Sequence, residues 1–154
     1  MYIRKAEKKD IPQIEELLFQ VANIHAEGRP DLFQKDQKKY TVEELEQIMQ
    51  DESRSIYVAE QDERILGYAF CIFQENNSNL MTDIRTLYID DLCVQEDARG
   101  ENIGRQIYDY VLDIARQSGC YNVTLNVWEC NPGAKKFYEK CGLQVQKTGM
   151  EKIL

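Results

Sequence analysis

The chain has 154 residues, of which 43% are hydrophobic and 30% charged, with a formal net charge of −8 at pH 7. This length and composition predict a single domain spanning residues 1–154. No apolar run approaches the roughly 18 residues of a membrane span, and the first residues lead into charged ones rather than into the apolar stretch of a signal peptide, so we expect a cytoplasmic protein without a membrane partner. The acidic balance argues against a nucleic-acid partner, because duplex binding needs a basic face.

Cysteine and histidine usage restricts the chemistry further. The five cysteines are odd in number and include no Cys-x-x-Cys pair, so we expect reduced and mostly buried thiols rather than disulfides or a zinc site. They are Cys71, Cys93, Cys120, Cys130 and Cys141. His25 is the only histidine, so a metal site would need carboxylates for nearly every ligand, and no Gly-x-Ser-x-Gly turn indicates a serine hydrolase. We therefore expect neither a metal nor a hydrolytic triad.

The N-terminal third combines one short strand with two helices. Tyr2–Lys5 has strand composition, and Asp10 is a suitable N-cap for a helix that ends before Gly28. Thr41 has a glutamate three residues later, the spacing of a capping box, which predicts a second helix that ends near Asp51. Both helices carry apolar residues at helical spacing, so each should pack one face on the rest of the domain.

The remaining elements alternate in type along the chain. In order they are a hairpin of strands at 56–60 and 65–73, a strand at 85–94, a helix at 103–118, a strand at 123–127, a helix at 134–140, and a last strand or strands from Leu143 onward. Because a helix crosses between the strands at 85–94 and 123–127, these two should be parallel within a sheet that also has antiparallel pairs. The expected fold class is therefore α/β with one mixed sheet.

The turn before the third helix has the composition of an anion-binding loop. An apolar strand ends just before the segment Arg99–Gly104, and a strongly amphipathic helix begins inside it. The first amides of a helix lack intrahelical partners and lie at the positive end of its dipole, so such a turn can bind a phosphate or pyrophosphate. A tight strand-to-helix turn without any ligand is the alternative.

This turn and a second segment resemble the GNAT superfamily of acyl-CoA-dependent N-acetyltransferases. The family's pyrophosphate loop follows Gln/Arg-x-x-Gly-x-Gly/Ala; Arg99 and Gly104 fill its first and last positions, and Gly100 adds a glycine that is common there. Asn102 stands where the family usually has glycine, and asparagine tolerates a left-handed backbone. Downstream, residues 131–143 read Asn-Pro-Gly-Ala-Lys-Lys-Phe-Tyr-Glu-Lys-Cys-Gly-Leu and resemble the family's Asn-x-x-Ala-x-x-Phe-Tyr-Glu-Lys-x-Gly-Phe segment.

The resemblance implies the GNAT fold, with a single mixed antiparallel and parallel central sheet flanked by helices on both faces, and acetyl-CoA as the cosubstrate without a metal. The pyrophosphate would bind the backbone amides of Arg99–Arg105, and the pantetheine arm would run along Leu92–Val94. The residues expected to contact acetyl-CoA are Leu92, Cys93, Val94, Arg99, Gly100, Glu101, Asn102, Ile103, Gly104, Arg105, Asn131, Lys135 and Tyr138. The amine would attack the thioester directly. Cys93 is expected to be a buried strand cysteine rather than a nucleophile, since no histidine lies near it in the sequence.

Two catalytic candidates follow from the resemblance. Tyr138 matches the family's tyrosine that protonates the leaving thiolate, with a tyrosine merely packed on the sheet as the alternative. Asp90 and Asp91 are adjacent in a strand, so their side chains are expected on opposite faces, with at least one partly buried. The first acid of such a pair is often assigned to amine deprotonation in relatives, which makes Asp90 the candidate base. A water relay, or a structural role in which an aspartate caps backbone amides or pairs with Arg85 or Arg99, is the alternative.

The acceptor is expected to be a small primary amine, such as a polyamine, an amino sugar or an amino acid derivative. A protein N-terminus or lysine is one alternative, and a non-catalytic acyl-CoA-binding module is another. The two leading helices and the loop between them should supply the acceptor site, where Glu27, Asp31 and Asp36 could bind a cationic amine. In the same region Phe33 and Tyr40 could wall a pocket. The resemblance also suggests a homodimer formed through the C-terminal strands.

Overall fold

The computed structural model describes all 154 residues and has the predicted mixed α/β architecture. Its elements are β1 (Tyr2–Lys5), α1 (Ile11–Gly28), α2 (Val42–Gln50), β2 (Arg54–Gln61), β3 (Arg64–Glu75), β4 (Arg85–Val94), α3 (Ile103–Gln117), β5 (Asn122–Leu125) and α4 (Pro132–Lys140). None of the helices combines the length and apolar character needed to cross a membrane.

One five-stranded sheet runs in the order β1-β2-β3-β4-β5. The first four strands pair antiparallel, whereas β5 lies parallel to β4, because α3 carries the chain back across the sheet between them. The predicted hairpin and the predicted parallel pair are therefore both confirmed. The hairpin turn places Asp62 and Glu63 in left-handed conformations, with φ of 52° and 65°, as a two-residue turn between twisted strands requires.

Apolar side chains of the sheet form two cores, one on each face. On one face, Tyr68 and Phe70 of β3 pack with residues such as Ile14 and Leu17 of α1 and with α2. On the other face, Leu87 and Ile89 of β4 pack with residues of α3 such as Ile107 and Val111. This alternation places helices on both faces, as the resemblance implied.

The ends of the two leading helices are held in different ways. The Thr41 hydroxyl accepts a hydrogen bond from the Glu44 amide while the Glu44 carboxylate accepts one from the Thr41 amide, which confirms the predicted capping box. Asp10 occupies the predicted N-cap position of α1, but its side chain makes no capping hydrogen bond. Its buried carboxylate instead accepts hydrogen bonds from the guanidinium of Arg4, at 2.8 and 2.9 Å, and from the Glu7 amide.

The prediction of one or more strands after Leu143 is wrong. Residues 143–154 contain no strand, and Val145 and Met150 are strongly exposed. Alternating apolar residues suit a strand, but a strand forms only when it pairs with an edge, and β5 pairs with β4 alone. The segment is tied back to the end of α1 by an ion pair between Glu151 and Arg29.

Candidate active site

The sheet has a gap where β4 extends beyond the end of β5. The two strands pair only from Thr86 to Ile89 on β4, which then continues to Val94. The Gln95 amide donates to the carbonyl of Leu66, near the start of β3. Backbone groups alternate direction along an antiparallel pair, so the amides of Leu92 and Val94 point away from β3. These amides face the gap, where the sequence predicts the pantetheine arm.

The side chain of Cys93 lies on the face of the sheet covered by α1 and α2. It is buried against α1, where its thiol lies 3.9 Å from the Leu17 carbonyl and 3.4 Å from the Gln20 amide nitrogen. Burial raises the pKa of the Cys93 thiol to about 12, so the thiol is protonated at neutral pH. Cys93 therefore has the properties of a buried strand cysteine and lacks those of a nucleophile, as expected from the sequence.

The turn before α3 leaves a series of backbone amides without acceptors. Gly100 and Asn102 are both left-handed, with φ of 89° and 64°, so asparagine adopts the conformation for which the sequence analysis considered it suitable. The Arg99 amide donates to the Glu96 carbonyl at 3.4 Å, but no amide from Gly100 to Arg105 donates to a protein group. These amides lie at the positive end of the α3 dipole, where an anion is stabilised.

The two turn glycines have different reasons for lacking a side chain. A Cβ on Gly104 would lie 3.3 Å from Phe137 of α4 and 3.5 Å from Val94 of β4, so this glycine allows α3 to approach its neighbours closely. A Cβ on Gly100 would meet no atom within 4 Å, and glycine is favoured there by the left-handed backbone.

Helix α4 presents Tyr138 at the site. The Asn131 side chain accepts a hydrogen bond from the Ala134 amide and so starts the helix, while Lys135 pairs with Glu129 at 3.4 Å. Tyr138 is half-buried, with its ring 5.1 Å from that of Phe137. Burial, followed by the nearby negative charge of Asp91, raises the pKa of the Tyr138 hydroxyl, which is therefore protonated at neutral pH.

A β-bulge changes the direction of one aspartate on β4. Asp91 pairs with Phe70 while Ile89 pairs with Cys71, so Asp90 is an extra residue without a partner on β3. Asp90 accepts a hydrogen bond from the Tyr40 hydroxyl, and Asp91 accepts one from Tyr68. Both tyrosine rings pack against Phe70 on the face covered by α1 and α2. The expectation that the two carboxylates lie on opposite faces is therefore wrong.

The two carboxylates have different environments. Asp90 is held by Lys39, whose ammonium lies 2.9 Å from Oδ1, and by the Tyr40 hydroxyl on Oδ2. Asp91 accepts a hydrogen bond from the fully buried Tyr68 at 2.7 Å. Burial raises the pKa of Asp91 to about 6, against the opposing effect of the Tyr68 hydrogen bond.

The loop between α1 and α2 meets the loop between β5 and α4 beside these carboxylates. The ring of Phe33 lies 5.0 Å from His25 and 5.1 Å from Trp128. Burial and the charge of Lys39 lower the pKa of His25, so it is neutral at pH 7. Phe33 therefore packs between His25 and Trp128, while the Tyr40 ring stacks on Phe70.

The acidic residues predicted to bind an amine are not brought together as a site. Asp31 is paired with Arg29 at 2.9 Å, and Glu27 and Asp36 are exposed. Sequence reasoning missed Lys39 and Tyr68 as the partners of the β4 aspartates. Tyr68 alternates with Phe70 in a strand, which indicated its face, but no local signal pairs it with Asp91.

A polar cavity lies on the same face, at the start of the gap between β4 and β5. Its volume is about 190 Å³, and its walls are Gln74, Tyr88, Thr124, Leu125, Asn126, Gln146 and Lys147. Asn126 donates to the Tyr88 hydroxyl at 3.2 Å, and Tyr88 precedes Asp90 by two residues in β4. Amides, hydroxyls and one ammonium therefore line this cavity, whose walls include neither aspartate.

The mixed sheet has a gap between β4 and β5, and the turn before α3 has backbone amides without acceptors. Both features are those expected of an acyl-CoA-dependent N-acetyltransferase. The model of the acetyltransferase (GNAT) family matches residues 18–143, and the chain belongs to that family. Among curated relatives, it is 34% identical over 65 residues to a glucosamine 6-phosphate N-acetyltransferase of Arabidopsis thaliana, a match that covers 42% of each protein. The chain thus spans less than half the length of that relative.

Solved structures extend the similarity over the whole chain. A variant of the BH1408 protein from Bacillus halodurans has a TM-score of 0.96 at 29% identity, with 100% of this chain and 99% of that chain covered. An aminoglycoside N-acetyltransferase in complex with CoA has a TM-score of 0.74 at 15% identity, covering 99% and 98% of the two chains, which shows a shared fold.

Proposed function

We propose that the protein transfers the acetyl group of acetyl-CoA directly to the nitrogen of a small primary amine. The observation that carries this proposal is the series of unpaired amides from Gly100 to Arg105 beside the gap at the end of β4. Membership of the acetyltransferase (GNAT) family, whose enzymes use acetyl-CoA, supports the same conclusion.

The residues present fit acetyl-CoA on physical grounds. The diphosphate is an anion that matches the free amides at the start of α3, and the amides of Leu92 and Val94 match the polar groups of an extended pantetheine arm. Acetyl-CoA supplies the thioester carbonyl that the amine attacks. Tyr138, kept protonated by its surroundings, is our candidate for the acid that protonates the leaving thiolate, and a nearby aspartate accepts the proton of the amine.

We propose an amino sugar, or a similar polyhydroxylated amine, as the acceptor. The walls of the 190 Å³ cavity offer amide and hydroxyl groups suited to sugar hydroxyls, and Lys147 offers a charge for an anionic substituent. The ammonium of Lys39 beside Asp90 makes this region less favourable for a polycation. The matched relative is named for glucosamine 6-phosphate, an amine with these chemical features.

The test is an amine panel with acetyl-CoA in which free thiol is measured. Glucosamine 6-phosphate is compared with glucosamine, spermidine, lysine and peptides that have a free N-terminus or lysine. We expect the highest kcat/KM for glucosamine 6-phosphate. Turnover confined to peptides would contradict the small-molecule proposal, and bound CoA without turnover of any amine would favour a non-catalytic module.

A variant separates recognition of the anion from recognition of the sugar. Lys147→Gln should raise the KM for glucosamine 6-phosphate about tenfold and leave the KM for glucosamine nearly unchanged, because only the phosphorylated amine carries the matching charge. Lys152→Gln, in the same C-terminal segment but absent from the cavity walls, is the matched control. Equal effects of Lys147→Gln on both amines would contradict this role.

A further inference from the structure

The β4 bulge brings the adjacent carboxylates of Asp90 and Asp91 to one face, where they have different numbers of side-chain hydrogen-bond partners. Both oxygens of Asp90 are occupied, Oδ1 by the Lys39 ammonium and Oδ2 by the Tyr40 hydroxyl. Arg54 further fixes Tyr40 through a 3.2 Å hydrogen bond to its hydroxyl. Asp90 is therefore held in one orientation through both of its oxygens.

Asp91 has one oxygen that no side chain engages. Tyr68 donates to its Oδ2 at 2.7 Å, whereas Oδ1 receives no side-chain donor and is not sealed from solvent. The charge of Asp91 contributes to the raised pKa of the Tyr138 hydroxyl. The Tyr68 ring is buried in the core, so its hydroxyl holds the Asp91 carboxylate in a fixed position.

We propose that Asp91, rather than Asp90, accepts the proton of the acceptor amine, and that Asp90 is a positioning residue that holds Lys39 and Tyr40 at the site. This assignment rests on the proposed acetyl transfer. It replaces Asp90 as the candidate base with the carboxylate whose second oxygen receives no side-chain hydrogen bond.

Several charged or titratable groups face Asp91 from the packed elements. They are Tyr68 of β3, Asp90 and Cys93 of β4, Lys39 of the loop before α2, and Tyr138 of α4. Burial raises the pKa of Asp91 most, the Tyr68 hydrogen bond and the Lys39 charge lower it, and the Asp90 charge raises it, with a result of about 6. Asp91 is therefore ionised and able to accept a proton at neutral pH, yet more basic than an ordinary aspartate.

The proton and electron transfers balance with these two residues. The ammonium form of the acceptor gives one proton to Asp91, and the freed lone pair forms the new C–N bond at the thioester carbonyl. The C–S bond then breaks, and the thiolate takes the proton of the Tyr138 hydroxyl. The second proton shed by the amide nitrogen restores Tyr138, and Asp91 releases its proton to solvent. The products are the N-acetylated amine, the free thiol of coenzyme A and one proton.

The assignment is tested by comparing Asp91→Asn with Asp90→Asn across pH 5 to 9, using acetyl-CoA and glucosamine 6-phosphate. Wild-type kcat/KM should rise with pH as Asp91 loses its proton, with a midpoint near its pKa of about 6. We call this rise the acidic limb of the pH profile. Asp91→Asn should lower kcat by about 10²- to 10⁴-fold and abolish this limb. Asp90→Asn should retain the limb while raising the acceptor KM. Loss of the limb in Asp90→Asn with its retention in Asp91→Asn would overturn the assignment.

Tyr68→Phe provides a conservative second variant. Removing a hydrogen bond that favours the Asp91 carboxylate should move the limb to higher pH and leave kcat at high pH near the wild-type value. The ¹³C chemical shift of the Asp91 carboxyl in the free protein, identified by its absence in Asp91→Asn, should titrate near the same pH as the limb. An ordinary aspartate titration near pH 4 would contradict the proposal.

These outcomes separate the two proposals. No thiol release with any amine contradicts the proposed acetyl transfer itself. Turnover that survives in Asp91→Asn with an unchanged pH profile contradicts only the identity of the proton acceptor.

Discussion

The surroundings of the Tyr138 hydroxyl suit a residue that gives up a proton only when a strong base forms beside it. Burial and the Asp91 charge disfavour the phenolate, so the proton is present at neutral pH. A coenzyme A thiolate that forms next to this hydroxyl would be its natural acceptor. The same surroundings make Tyr138 ineffective as a base.

Replacing Tyr138 with phenylalanine isolates this hydroxyl. Tyr138→Phe should lower kcat by about ten- to a thousandfold while the Kd for CoA changes little, because the ring remains and only the proton donor is lost. Stopped-flow thiol release and calorimetric titration with CoA measure the two quantities. Tyr121→Phe, at a strongly exposed tyrosine, is the control and should leave both unchanged. Wild-type turnover in Tyr138→Phe would exclude the acid role.

Substitutions at Gly100 and Gly104 should affect CoA affinity and stability differently. Gly100→Ala places a side chain at a φ of 89°, so the turn should shift and CoA affinity should fall about tenfold with little loss of stability. Gly104→Val forces Phe137 and Val94 away from α3 and should lower the thermal midpoint of unfolding as well as the affinity. Calorimetric titration with CoA and thermal unfolding of both variants test this. Gly133→Ala, at an uncrowded glycine outside the turn, is the control.

Local sequence was sufficient to predict the turn before α3 and the helix that carries Tyr138, but not the direction of Asp90. The turn has a composition and spacing of its own, whereas the bulge depends on how β4 pairs with β3. Strict alternation along a strand predicts the two aspartates on opposite faces. The bulge inserts Asp90 as an extra residue, so both side chains lie on the same face. Lys39, which holds Asp90, is 51 residues away in the sequence.

At the scale of elements, a cluster of three charged side chains attaches the start of α1 to the sheet. Arg4 of β1 binds Asp10 through two hydrogen bonds and Glu60 of β2 through a third, at 3.0 Å. Burial opposes the charge on Asp10, but the hydrogen bonds from Arg4 and the Glu7 amide outweigh it, so the pKa of Asp10 lies below its ordinary value. The ionised carboxylate therefore stabilises the folded state.

Removing the charge of Asp10 should weaken this attachment. Asp10→Asn should reduce the free energy of unfolding at pH 7 by about 3 kcal/mol, because Arg4 is left with one fewer anionic partner in a buried position. The native pKa is depressed, so the difference from wild type should be complete above about pH 4 and shrink as pH falls through the native pKa. Urea unfolding at several pH values measures it. Asp113→Asn, in an exposed pair with Arg116, should change stability by less than about 0.5 kcal/mol.

Elements with strong local signals were predicted with nearly correct bounds. Helix α2 has a capping box, and α3 has a continuous apolar face followed by Gly119 at a φ of 74°. The segment after Leu143 has a strand pattern but no partner strand, and pairing cannot be read from one segment alone. Asp10 makes no capping hydrogen bond for a similar reason, since its partner Arg4 lies on another element.

At the scale of the whole molecule, the C-terminal segment leaves apolar surface and a sheet edge uncovered. Val145, Met150, Ile153 and Leu154 are all strongly exposed, and β5 has β4 as its only partner. An open edge beside a segment with strand-like alternation favours pairing with another chain. Residues 143–154 and the β5 edge are therefore where we place the interface of the homodimer expected from the sequence.

We therefore predict that the protein forms a homodimer that depends on residues 143–154. Light scattering after size exclusion should give twice the 18.1 kDa chain mass at micromolar concentration, and a Val145→Glu, Met150→Glu double variant should shift the mass toward the single chain, because charges on exposed apolar positions oppose burial in an interface. Leu80→Glu, at an equally exposed apolar residue in the loop after β3, is the control and should remain dimeric. A single-chain mass for the wild type across the concentration range would contradict the dimer. A dimer that persists in the double variant would place the interface elsewhere.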